Sequence, residues 1–148
     1  MNGKRVVTLL LLALAAFGAA LYYTQFHAYY EEVTGLTSLE VAGRVIPVSD
    51  YTGIDADTSP NKLRGCFKTD PAAFEGAPAA RDPQPLVAPG WFDCFQAETL
   101  AADLAAGNAT AYLAGDETPE GATGYEIHRM IAVYPDGRAY LWRHYREN

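Results

Sequence analysis

The sequence is short of basic residues, of serine and of cysteine, and each shortage removes a class of function. Eleven Lys and Arg stand against eighteen Asp and Glu in 148 residues, a net charge of −7. Setting aside Lys4 and Arg5, the rest carries nine basic and eighteen acidic residues, or −9. Phosphate backbones are bound through clustered cations. Here the basic residues are scattered as Arg44, Lys62, Arg64, Lys68, Arg81 and a C-terminal group, which argues against nucleic acid as a partner. Serine occurs only at Ser38, Ser49 and Ser59, and there is no Gly-rich phosphate loop, nucleophile elbow or kinase motif. The two cysteines, Cys66 and Cys94, do not form a Cys-x-x-Cys pair. With ligands to spare for nothing else, they are too few for a zinc site.

What the chain does have is one long apolar run. Residues 6–23 contain no charge, and Thr24, Gln25 and Phe26 extend the run to the roughly 20 residues needed to cross a bilayer. Lys4 and Arg5 precede it and Glu31 and Glu32 follow, so the basic bias predicts a cytoplasmic N-terminus with the remainder outside. A cleaved signal peptide is the rival reading, with Gly18, Ala19 and Ala20 as small residues suited to a signal peptidase. Tyr22, Tyr23, Phe26, Tyr29 and Tyr30 fall on one stripe if the helix continues, where rings favour the headgroup layer. Ala15 and Ala19 form a small-xxx-small pair that lets a second helix approach, and lipid is the first expected partner.

The chain therefore divides into an anchor with a juxtamembrane helix, residues 1–30, and one domain, residues 31–148. The expected fold class is α+β: an N-terminal transmembrane helix, then a small antiparallel sheet with one short packed helix. Residues 33–50 are consistent with one or two short strands, including 44–48. Residues 51–60 read as a turn-rich loop because Gly53, Asp55, Asp57, Ser59 and Pro60 favour turns. Its carboxylates do not fit the EF-hand pattern, since Pro60 and Cys66 stand where Gly and Glu are needed. A strand follows over 63–69.

Five prolines between residues 70 and 90 predict an extended connection. Cys66 and Cys94 flank it, and one disulfide is the economical expectation on the oxidising side of a membrane. Closing a loop of this size stabilises by about 3 to 4 kcal/mol in the chain-entropy model. Residues 96–106 form the clearest helix outside the anchor, with Glu98 in its first turn and Gly107 to stop it. Residues 109–113 resemble a strand.

The turn Pro135-Asp136-Gly137 predicts a three-residue hairpin loop between strands over 125–134 and 138–145. That register sets Ala132 opposite Tyr140, Met130 opposite Trp142, and His128 opposite His144. Met130, Tyr134, Tyr140 and Trp142 then share one face and are candidates for a partner interface, or for core. Arg129 opposite Arg143 is a like-charge pair that needs an acidic neighbour. Asp93, Glu98 or Asp103 is the expected internal partner, and an anionic ligand is the alternative. His128 and His144 are weak metal-ligand candidates, because a pair is not a site. No cofactor is expected and no catalytic residue is assigned.

The run Ala88 to Phe95, reading APGWFDCF, stands with Ser59-Pro60, Cys66-Phe67, Ile131-Ala132-Val133 and Pro135-Asp136-Gly137-Arg138. In these blocks the chain resembles an uncharacterised alphaproteobacterial family of small single-span membrane proteins with a domain of unknown function. Some members carry a histidine-kinase label, yet this sequence has neither a phosphoacceptor helix nor an ATP-binding domain. The resemblance implies a bacterial inner membrane with the domain in the periplasm, and it implies no mechanism. The expectation is thus a membrane-anchored periplasmic accessory or assembly protein that binds an envelope or membrane complex. A small-anion or metal-binding module and an uncharacterised periplasmic enzyme are the alternatives.

Overall fold

The computed structural model describes residues 2–27 and 29–148. It divides into two units, Met1–Tyr30 and Glu31–Asn148. The first is built on α1 (Gly3–Phe26), which starts where the Asn2 side chain accepts a hydrogen bond from the Lys4 N–H. Gly3–Gln25 is long and apolar enough to cross a membrane or to serve as a signal sequence, and none of it is buried within the chain. Thr8 and Thr24 donate their hydroxyls to the Lys4 and Leu21 carbonyls, so the helix satisfies these polar groups itself. The helix stops at Phe26, and the aromatic stripe is not carried on it through Tyr29 and Tyr30.

The second unit is mixed α and β, with a six-stranded antiparallel sheet in the order β1-β4-β5-β8-β7-β6. Its strands are β1 (Glu31–Thr34), β4 (Ser49–Asp55), β5 (Arg64–Lys68), β6 (Thr110–Asp116), β7 (Tyr125–Val133) and β8 (Arg138–Glu147). A separate hairpin pairs β2 (Ser38–Val41) with β3 (Arg44–Pro47). The single helix, α2 (Ala97–Ala106), ends at Gly107 in the left-handed conformation.

The β7–β8 register is the one the turn chemistry predicts: Ala132 faces Tyr140, Met130 faces Trp142, and Arg129 faces Arg143. The Tyr134 N–H donates to the Arg138 carbonyl at 2.8 Å and the Gly137 N–H to the Tyr134 carbonyl at 3.0 Å, closing the loop. Gly137 has φ 93°, and a Cβ there would also meet the Thr69 carbonyl at 2.7 Å. No other residue fits that position.

Strict alternation gives the sheet two covered faces. On the hairpin face, Val41 and Ile46 of the β2–β3 hairpin pack with Tyr51, Phe67, Ile131 and Leu141, and Phe74 joins them from a short 3-10 turn. On the helix face, Leu100 of α2 and Phe92 and Phe95 before it are buried together with Met130, Ala132 and Trp142. The Phe95 ring lies 6.0 Å from Tyr140 and 6.4 Å from Trp142, and Tyr134 donates to Asp103 of α2 at 2.5 Å.

The proline-rich stretch links the two covers by passing around the β6 edge. Ala80 donates to the Ala111 carbonyl and Leu113 to the Pro78 carbonyl, which caps an edge otherwise open to pairing. Arg146 then bonds the Asp82 carbonyl, and the buried Arg64 guanidinium donates to the Leu86 and Val87 carbonyls at 2.9 and 3.0 Å. A chain poor in its own hydrogen bonds is thus strapped down by side chains.

One expected element is wrong. Residues 51–55 are not loop but the inner part of β4, with Tyr51 in the core. Its ring crosses the facing pair Gly53 and Gly65, where an added Cβ would sit 2.6 and 3.0 Å from the Tyr51 hydroxyl. The glycine read as a turn signal instead makes room for a neighbouring aromatic.

Candidate functional site

Because α2 and the segment before it sit over β8 and β7, the helix face is left open at the Thr52 end of β4 and the Cys66–Lys68 end of β5, while Ile54 and Arg64 beside them are buried. There a groove of about 430 Å³ forms. Its floor is Thr52, Cys66 and Tyr140, and its wall is Trp91, Phe92, Asp93 and Cys94. The wall is fixed to the floor by the Cys66–Cys94 disulfide, whose Cα atoms are 6.4 Å apart. Cys94 is exposed and Cys66 half-buried, while Trp91 stands half-buried with its edge against Phe92. Both cations at the rim are paired: Lys68 lies 3.5 Å from Asp50, and Arg138 bonds Asp136 at 2.8 Å, while Glu32 and Asp93 add two more acids to the lining. Arg138 also stacks over the Tyr134 ring at 4.3 Å.

The facing arginines find their acid within the chain, although not where it was expected. Glu117 bonds both, reaching Arg129 at 2.8 Å and the Arg143 Nε on its other oxygen. Asp55 lies 3.3 Å from Arg143, and the Glu40 carbonyl accepts from Arg129 at 3.0 Å. Asp103 cannot serve, nor can Glu98, because α2 covers the opposite face of the sheet. Asp93 likewise lies on the helix side. Two guanidiniums with two carboxylates leave no net positive charge to attract an anion. Beside them a cavity of about 230 Å³ runs under the hairpin, lined by Leu39, Tyr51, Leu63 and Ile131 among others. Burial raises the Tyr51 phenol, Asp55 adds to this, and Arg129 opposes it.

His128 and His144 face each other on the helix face. His128 Nε2 is 3.9 Å from Asp116 and 3.7 Å from Glu126. His144 Nδ1 is buried and makes no hydrogen bond among the described residues. Burial, then Arg146, holds the His144 imidazole below its ordinary range. Among the described residues no three His, Cys, Asp or Glu gather closely enough to hold a metal ion.

The aromatic candidates are placed inside the domain. Trp142 is 0% and Met130 1% exposed, Tyr134 is buried, and Tyr140 is half-buried at the groove floor. A partner reaches Trp142 or Met130 only by displacing α2, so an interface on this side falls to Trp91 and Tyr140 instead. Ala15 and Ala19 lie exposed along α1. Sequence reasoning passed over Trp91, Arg64 and Glu117. Trp91 had a signal, its place in the Trp-Phe-Asp-Cys block, whereas nothing local distinguishes Arg64 or Glu117 from a solvated charge.

An apolar helix of spanning length followed by a small disulfide-closed α+β domain defines the class of this protein. Residues 34–148 match a family described as a family of unknown function (DUF6446), and the chain belongs to that family. No curated protein and no solved structure matches it.

Proposed function

We propose that this is a membrane-anchored accessory or assembly protein, held by α1 in a bacterial inner membrane, which presents its domain to an envelope or membrane partner in the periplasm. The observation that carries the reading is the open groove beside the disulfide, walled by Trp91 and lined by charges of both signs, Glu32, Asp50 and Asp93 with Lys68 and Arg138. A half-buried tryptophan beside a tyrosine offers contact area at small entropic cost, the residue type on which protein interfaces concentrate their binding energy. Charges of both signs suit a protein face better than a single small ion.

The paired state of Arg129 and Arg143 weighs against the small-anion alternative, and the failure of the histidines and their acidic neighbours to converge on one point among the described residues weighs against the metal one. The test is purification of the full chain from its own membranes in mild detergent, followed by mass spectrometry of intact complexes. The expected result is a stoichiometric partner that Trp91→Ala removes and that an exposed control change, Val45→Ser, retains. A lone monomer, or a partner indifferent to Trp91→Ala, overturns the reading.

A further inference from the structure

We propose that the Cys66–Cys94 disulfide is a thiol-exchange site entered through the groove, with Cys94 the sulfur attacked by an external dithiol and Cys66 the departing thiolate. A structural disulfide is inert chiefly because attacking thiolates cannot reach it, and exposed ones are the labile class. This one is not sealed in the core. Cys94 is exposed, Cys66 is half-buried, and both line the groove of about 430 Å³.

The local charges give the exchange a direction. Cys66 shares its face of β5 with Lys68, and Lys68 pairs with Arg138 on β8. Both cations line the groove with Cys66 and, although Lys68 also meets Asp50 and Arg138 meets Asp136, they favour negative charge on the departing sulfur. Asp93 adjoins Cys94 and disfavours a thiolate there. Attack at Cys94 with Cys66 leaving is therefore the preferred of the two routes.

The step balances with a dithiol as reductant. Its thiolate forms a bond to Cys94 Sγ, the Cys66–Cys94 bond breaks, and the electron pair passes to Cys66 Sγ, which takes up a proton. The second thiol of the dithiol then displaces Cys94, leaving an oxidised dithiol and two reduced cysteines. Unfolding is not needed for this. Arg64 still holds the Leu86 and Val87 carbonyls, Arg146 still holds Asp82, and Phe92 and Phe95 remain buried. What changes is the groove, whose Trp91 wall is covalently fixed to its floor only in the oxidised protein.

The experiment uses the full chain in detergent with limiting glutathione as the probe, an iodoacetamide quench and peptide mass mapping. The expected product carries glutathione on Cys94 and the alkyl group on Cys66, forms at a rate first-order in glutathione, and appears while the near-ultraviolet circular dichroism is unchanged. Glutathione on Cys66, or no cleavage until urea unfolds the domain, overturns the proposal. Lys68→Gln is expected to slow the exchange severalfold with the same urea midpoint, and an unchanged rate overturns the part assigned to the cations.

Discussion

The two faces of the sheet are closed in different ways. The hairpin face is covered by a hydrogen-bonded unit: β2 and β3 pair with each other, and the tip is tied to β6 where Ala42 donates to the Ala114 carbonyl at 2.7 Å. Thr69 adds a side-chain bond to the Pro47 carbonyl. The helix face is covered by α2 and the residues before it, which arrive at the end of a long connection with almost no ladder of its own. Arg64 and the disulfide hold that connection. Backbone pairing fixes a cover locally, whereas a cover delivered by a long loop has to be fixed by removing loop entropy.

This contrast can be broken from the helix side most easily. Trp142→Ala removes the largest fully buried side chain and is expected to cost about 3 to 5 kcal/mol in urea unfolding. Cys66→Ser should cost about 3 to 4 kcal/mol in the chain-entropy model. The sharper measurement combines them. Because Trp142 and the disulfide share one cover, their losses should couple by about 0.5 to 3 kcal/mol. Ile46→Ala, in the β2–β3 hairpin itself, should add to disulfide loss within about 0.5 kcal/mol. Equal coupling on both faces would show that the covers are not independent.

A smaller effect tests the arginine pair. Glu117→Gln leaves Arg129 and Arg143 with Asp55 as their remaining carboxylate and is expected to cost about 1 to 3 kcal/mol. An unchanged urea midpoint would mean that solvent screens the two guanidiniums by itself. The smallest effect is one of pH. Burial and Arg146 lower the folded pKa of His144, so the unfolded chain binds the proton more readily. Its contribution to stability is present above the ordinary histidine range near pH 6.5 and is lost as pH falls through the lowered folded value. Urea midpoints at pH 7.5 and 5.5 should therefore diverge, and His144→Gln should narrow the gap.

Much of the fold was legible because it is local. Pro135-Asp136-Gly137 determines the loop, the loop determines the register, and the register places Met130 opposite Trp142 and Arg129 opposite Arg143. Helix formers ending at Gly107 determine α2, and an uncharged run of spanning length determines α1. The need for an acid beside Arg129 and Arg143 was legible too, since like charges in a sheet demand it. The supplier was not. Glu117 follows β6, which runs three residues past its expected end, and the side on which α2 settles excludes the acids that had been expected.

Residues 51–55 show the same limit from the other direction. Gly53 and Asp55 satisfy every rule for a turn, and only the neighbouring strand reveals that Gly53 and Gly65 clear a path for the Tyr51 ring. By itself the sequence determined the apolar N-terminal helix, the second helix, the hairpin register and the sorting of side chains between two faces, because turn chemistry and periodicity act over a few residues. Tertiary structure alone decided which face α2 covers, where the groove opens and which carboxylate meets the arginines. Those outcomes depend on contacts between segments far apart in the chain, and no local preference encodes them.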